Sequence, residues 1–216
     1  MDKNFLVVTN IKANLLPTYD LKIPDKIEVA IAASFPFIKD VPEQFSRAAQ
    51  DVSSFPMGAY TGEIPAEMLK NLNVKYCLVG HSERRKYLHE TNDLITLKIE
   101  ALKAQNIIPI ICAQSWEEIP EGILRYTQDD TYVMYEPFSA ISQNGSYNPE
   151  PEEQINQTLI DWKVKLPEGT RFLYGGSVNP DNCQLLIANC PLVSGFVIGH
   201  AALDPQTLGT IVNSIA

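Results

Sequence analysis

One recurrence constrains this chain more than any other feature. Short apolar runs rich in β-branched and aromatic residues return at Phe5–Val8, Ile27–Ala32, Phe45–Ala49, Tyr76–Val79, Ile107–Cys112, Tyr132–Tyr135, Phe172–Tyr174 and Phe196–Ile198. The runs are continuous rather than alternating, so each predicts a strand buried on both faces, as in a parallel sheet. Between them the spacing changes to that of a helix. Ile95, Ile99 and Leu102 fall at i, i+4 and i+7, with Leu94, Leu97 and Ala101 alongside, and Ile155, Leu159 and Trp162 repeat the stripe. Asn148-Pro149, Asn179-Pro180 and Asp204-Pro205 predict helix starts. In each pair a short polar side chain can accept orphan backbone N–H groups, and proline at the first helical position loses no hydrogen bond.

Alternating strand and helix implies right-handed βαβ units, an α/β architecture with no domain break, and eight strands able to close. The expectation is a single-domain (β/α)8 barrel over residues 1–216. It is a pared-down one, since about 250 residues is usual for this fold and about 200 the lower limit. The shortening is expected in the first and fifth helices. Asn14 to Asp25 carries Pro17 and Pro24, and Ser115 to Asp130 carries Pro120 and Gly122.

Composition narrows the function. With 45% hydrophobic and 20% charged residues, the chain has enough apolar surface to fold, which excludes a disordered segment. A net charge of −9 repels phosphate backbones and anionic lipid, so neither nucleic acid nor membrane is expected as a partner. A small anionic substrate needs a positive pocket built locally. Cys77, Cys112, Cys183 and Cys190 form no CxxC and no metal-type pairing with histidine, so they read as buried, reduced thiols. The apolar run after Asn4 is too short for a signal peptide, and a cytoplasmic protein is expected. No glycine fingerprint for a dinucleotide follows the first strand; no cofactor or metal is expected.

The residues placed directly after the predicted strands are unusual in kind. They are Asn10 and Lys12, then His81-Ser82-Glu83, Glu136, Gly175-Gly176-Ser177, and Gly199-His200. Taken singly, Lys12 reads as a solvated lysine, His81 as a satisfied structural histidine, Glu136 as a turn acid and Gly175-Gly176 as a tight turn. Arg84-Arg85 reads as a solvated or ion-paired helix face. Together they stand at the carboxyl ends of the strands, where parallel α/β folds build their sites because βα loops and helix N-termini converge there.

Asn10-Ile11-Lys12, Tyr60-Thr61-Gly62-Glu63-Ile64, Val79-Gly80-His81-Ser82-Glu83-Arg84-Arg85, Tyr135-Glu136-Pro137 and Tyr174-Gly175-Gly176-Ser177-Val178 come in the order and rough spacing of the triosephosphate isomerase family. The chain resembles that family from Phe5 nearly to its end. The resemblance implies a cofactor-free, homodimeric enzyme of glycolysis and gluconeogenesis. Its reaction would interconvert dihydroxyacetone phosphate and D-glyceraldehyde 3-phosphate by a 1,2-proton shift through an enediolate. It also implies the roles: Glu136 the base, Lys12 the fixed cation, Asn10 a further donor, and Glu83 the partner that holds Lys12 or orients the site. His81 would be a neutral donor at a helix start, in a family that is itself a standard illustration of pKa tuning. Backbone N–H groups near Ser142, Ser177, Gly199 and His200 would grip the phosphate under a lid running from Pro137 through Ser142 to Gly145. Thr61 would reach the partner subunit's site.

Four positions depart from the family pattern. Ser139 stands where the lid hinge has tryptophan, Ser142 where it has glycine, Ser115 where a glutamate follows the fifth strand, and His200 where the phosphate loop has its second glycine. The changes fall in the lid and the phosphate grip, which predicts an active isomerase with weakened substrate binding or altered lid kinetics. Two other readings fit the same residues: a barrel with impaired catalysis that binds a phosphorylated metabolite, and an aldolase-like enzyme using Lys12 as a Schiff-base nucleophile.

Overall fold

In a computed structural model, residues 5–125, 131–140 and 148–215 are described. The strands are β1 (Phe5–Asn10), β2 (Ile27–Ala33), β3 (Ser46–Ala49), β4 (Val74–Val79), β5 (Ile108–Ala113), β6 (Tyr132–Tyr135), β7 (Arg171–Tyr174) and β8 (Val193–Ile198). Each pairs in parallel with its sequence neighbours, and β1 also pairs with β8, so the sheet closes into a barrel. Every apolar run of the sequence is a barrel strand, and two buried layers give the reason. Leu6, Val8, Leu78, Ile110, Met134 and Leu173 fill the interior. Val7, Ile31, Val79, Ile111, Val133 and Phe196 point outward against the helices. With both faces covered, the strands are mostly apolar, and the charged Glu28, Arg47, Lys75 and Arg171 stand at the first or second position of their strands. At Gly195 a β-carbon would stand 2.2 Å from the Leu6 carbonyl oxygen, so this strand position needs glycine.

The helices are α1 (Ala66–Asn71), α2 (Ser82–Leu88), α3 (Asn92–Ala104), α4 (Glu152–Lys163), α5 (Cys183–Asn189) and α6 (Pro205–Ser214). The stripes Ile95, Ile99, Leu102 and Ile155, Leu159, Trp162 are the buried faces of α3 and α4. Asp204 caps α6 as expected, its carboxylate accepting from the backbone N–H groups of Gln206 and Thr207. Asn179 closes a turn just before α5, accepting from Asp181 and Asn182 N–H at 2.9 and 3.0 Å.

Asn148-Pro149 does not start a helix. α4 begins at Glu152 after Pro151, and the Asn148 amide donates instead to the Ser139 carbonyl at 2.8 Å. The cause is the second proline: Glu150, preceding Pro151, is pushed out of the helical region.

The first connection, residues 11–26, holds no helix at all. It is pinned by Tyr19, whose hydroxyl donates to the Ala202 carbonyl at 2.6 Å. Between β5 and β6 the described residues form only two 3-10 helices, Trp116–Glu118 and Glu121–Arg125. A third thin connection escaped the sequence reading: β2 leads to β3 through the 3-10 helix Phe35–Asp40 alone. All four cysteines are free and buried. Among the described residues no helix is long and apolar enough to cross a membrane.

Candidate active site

A cavity of about 490 Å³ opens at the carboxyl ends of the strands, and Asn10, Lys12, His81, Glu136, Ser177, Gly199 and His200 all line it. Glu83 stands beside it, bound to Lys12. Ser142 lies outside the described residues. Thr61 is exposed, in the connection 50–65 between β3 and α1.

Lys12 follows β1 with φ at +52°, a left-handed conformation unfavourable for a residue with a β-carbon. Its surroundings over-determine it. Its N–H donates to Asn10 Oδ1 at 3.1 Å, while its carbonyl accepts from Ser34 Oγ at 2.8 Å and Gln50 Nε2 at 3.0 Å. The ammonium lies 2.6 Å from Glu83 Oε1. Asn10 is thereby a positioning group for Lys12 as well as a wall of the cavity.

His81 ends the β4 loop and is the N-cap of α2. Its Nδ1 accepts from the Glu83 N–H at 3.3 Å. An acceptor at Nδ1 places the ring's proton on Nε2, which faces Glu136 Oε1 at 3.3 Å. The arrangement is that of a neutral imidazole serving as a donor.

Glu136 leaves β6 buried, with its second oxygen accepting from Ser82 Oγ at 2.8 Å. Burial pushes its carboxyl up. The opposing pull of His81, the Ser82 hydroxyl and the Lys12 ammonium is stronger in sum, and the group sits below the ordinary glutamate range. It is therefore ionised at neutral pH, as a base must be.

The far wall is built differently. At Gly175 a β-carbon would lie 2.5 Å from Met134 Sδ, and at Gly176 one would lie 2.2 Å from Tyr174 Oη and 3.0 Å from Ala140 Cβ. Close approach, not an unusual φ, excludes larger residues there. Ser177 Oγ donates to the Ala140 carbonyl at 2.8 Å and accepts from Asn148 N–H at 3.4 Å, tying β7 to the segments flanking residues 141–147. Gly199 is uncrowded: Lys12 Cε, 3.7 Å from the place of a β-carbon, is its nearest neighbour. His200, the exposed first residue of the 3-10 helix His200–Leu203, carries its β-carbon without a left-handed φ.

Of the two readings of Arg84-Arg85, solvated or ion-paired, the structure shows the second. Arg84 bonds Asp51 and Glu90, each at 2.7 Å, and the buried Lys98 reaches the same two carboxylates. Arg85 donates to the Gly80 carbonyl at 2.8 Å and to Asn92 Oδ1 at 2.9 Å. This network, and the bond from Ser82 to Glu136, escaped the sequence reading. Asp51 and Lys98 are 47 residues apart, so spacing carries no sign of their contact. Ser82 did have a signal: it is the first residue of a helix that starts at the cavity.

The family model of triosephosphate isomerase matches residues 3–215. The chain belongs to the triosephosphate isomerase family. Relatives named triosephosphate isomerase bear this out at the level of sequence. One from Coxiella burnetii (strain Dugway 5J108-111) is 35% identical, covering 83% of this chain and 80% of its own length. One from Dichelobacter nodosus is 37% identical over 78% of this chain and 77% of its own length. One from Thermus thermophilus is 34% identical over 85% and 84%. Among the described residues, the connections after β1, β2 and β5 hold no α-helix, and the cavity opens at the carboxyl ends of the strands.

Proposed function

We propose that this chain, as one barrel domain, interconverts dihydroxyacetone phosphate and D-glyceraldehyde 3-phosphate by a proton shift through an enediolate. One observation carries the reading: a buried Glu136 held below the ordinary glutamate range and a His81 whose Nδ1 accepts from the Glu83 N–H, leaving Nε2 to donate, face each other at 3.3 Å in the same cavity. A carboxylate can abstract a proton beside a carbonyl only if the developing oxyanion is stabilised at the same moment.

Substrate arriving between the two takes over the His81 Nε2–H, which in its absence faces Glu136. Glu136 then removes the proton from the carbon beside the carbonyl and returns it to the neighbouring carbon. The Lys12 ammonium, held by Glu83, stabilises the enediolate charge, and the Asn10 amide serves as a further donor to the substrate oxygen. Backbone N–H groups at Ser177, Gly199 and His200, together with Ser142, hold the phosphate. Excluding water matters here because a solvated enediolate can expel phosphate.

The pairing of Lys12 with Glu83 at 2.6 Å speaks against a Schiff-base role, which needs an uncharged amine. A binding-only barrel has no use for an ionised carboxylate opposite an imidazole donor. Ser115, Ser139, Ser142 and His200, standing at the family's lid and grip positions, support an active isomerase with weakened substrate binding or altered lid kinetics. The protein acts as a cytoplasmic homodimer in this reading. Exposed Phe55, Met57 and Tyr60 around Thr61 support that, with Phe55 stacked on Tyr60 at 4.5 Å, as does a set of four free, buried thiols. A coupled assay for triose phosphate interconversion, with Glu136→Gln and Lys12→Ala beside the native chain, tests the proposal. Turnover in the native chain that both substitutions abolish is expected; an inactive native chain overturns it.

A further inference from the structure

The cavity is poor in positive charge. Lys12 supplies one cation, against carboxylates at Glu83 and Glu136, so with neutral imidazoles these side chains sum to one negative charge. Backbone N–H groups offer a phosphate dianion partial positive charges, and a full cation beside them adds to that hold. Three cavity side chains can be cationic: Lys12, His81 and His200. Lys12 is committed to Glu83, and both ring nitrogens of His81 are engaged, one by the Glu83 N–H and the other toward Glu136. Among the described residues, the exposed His200 has no hydrogen-bond or ion-pair partner.

Its surroundings leave it free to answer a ligand. The turn His200–Leu203 packs on α6 and β1, neither of which carries a charged residue. Tyr19 reaches it only through the Ala202 carbonyl. Asp204, at the end of the turn, spends its carboxylate on the Gln206 and Thr207 N–H groups and the Thr207 hydroxyl. The remaining titratable groups are those around the cavity, Lys12, Glu83, His81 and Glu136, with the stem of Lys12 alongside Gly199.

We propose that the His200 side chain is a pH-dependent part of the phosphate grip, binding as imidazolium to the oxygens that the neighbouring N–H groups hold. This rests on reading the cavity as a phosphate site. An imidazole acquires its charge between about pH 8 and about pH 5, and a dianion beside it favours the charged form. Anion affinity is therefore strongest in mild acid and falls as pH rises, whereas a grip of N–H groups alone has no such slope.

The test uses inorganic sulfate, whose double negative charge is constant over this range, so substrate titration does not enter. Sulfate binding is followed by calorimetry from about pH 6 to about pH 8 on the native protein, His200→Gln and His200→Lys, each checked for an unchanged unfolding midpoint. Native affinity is expected to fall about fivefold across the range. His200→Gln is expected to bind weakly with little slope, and His200→Lys tightly at both ends. An equal slope in His200→Gln and the native protein assigns the titration to another group, such as His81, and overturns the proposal. A flat native profile does the same. Because the readout is binding, an inactive protein with a slope that depends on His200 would sink the isomerase reading and leave this one standing.

Discussion

The short helix α2 stands between two ionic clusters built on opposite principles. At its N-terminal end His81, Ser82 and Glu83 meet Lys12 and Glu136, and the side chains of Lys12 and Glu83 remain 35% and 45% exposed. One turn later Arg84 enters a sealed cluster in which Lys98 and Glu90 are 5% and 3% exposed and Asp51 11%. The first cluster consists of pairs that an arriving ligand can reorganise. The second pairs its charges with one another, leaving Glu90 Oε2 buried without a hydrogen bond, and its cost of desolvation is offset only while every member is present. The two teach that ion pairs of nearly equal length serve different ends: His81 and Glu136 are each only 7% exposed, so bordering the cavity, more than exposure, separates groups a ligand can re-pair from groups that only hold their place.

The largest effect expected from this contrast is on rate. Glu136→Gln removes the base without changing shape, and kcat should drop about a thousandfold, within the range general-base removal produces. The unfolding midpoint should move little; a large drop in midpoint would mean that the mouth cluster is structural too. Lys98→Met leaves Asp51 and Glu90 buried against each other with Arg84 as their remaining cation, and a loss of about 3–5 kcal/mol is expected in denaturant titration. Lys12→Ala breaks an ion pair of similar length, 2.6 Å, yet should cost less than about 1 kcal/mol of stability because the pair is half-exposed. Equal costs for these last two substitutions would break the comparison.

Two smaller effects sharpen it. Glu136 is held below its ordinary pKa in the folded state, so the stability it contributes is present above the unfolded value of about 4.3 and is lost as pH falls through the folded value. The acid limb of kcat/KM governed by this group should accordingly lie below about pH 4.3. Ser82→Ala takes away the 2.8 Å donor and should raise that limb by less than about one unit, with a loss in kcat/KM of up to about tenfold. An unmoved limb would mean that His81 and Lys12 alone set the ionisation.

Much of this was readable before any coordinates. Continuous apolar runs reported strands covered on both faces, and Asp204-Pro205 reported a helix start, because both are local consequences of burial and capping. Asn148-Pro149 misled because Pro151, two residues on, forbids the helical turn its neighbour promised. The thin second connection gave no warning: Phe35–Asp40 has the apolar content of a helix but only the length of a 3-10 turn.

At the site, the positions of Asn10, Lys12, His81 and Glu136 at the carboxyl ends of the first, fourth and sixth strands were enough to group them. Parallel strands share one carboxyl end, so order along the chain already implies a common mouth. What the sequence by itself determined is which side chains stand at that mouth and that a closed, two-layered barrel carries them. Only the tertiary structure decided the rest: that Glu83 N–H fixes the His81 tautomer, that Ser82 steadies Glu136, that Arg84 and Lys98 share two carboxylates, and that His200 finds no partner among the described residues. These are matters of a few tenths of an ångström, several of them between residues tens of positions apart. Hydrogen bonds and ion pairs depend on such distances, and hydrophobic patterning does not encode them.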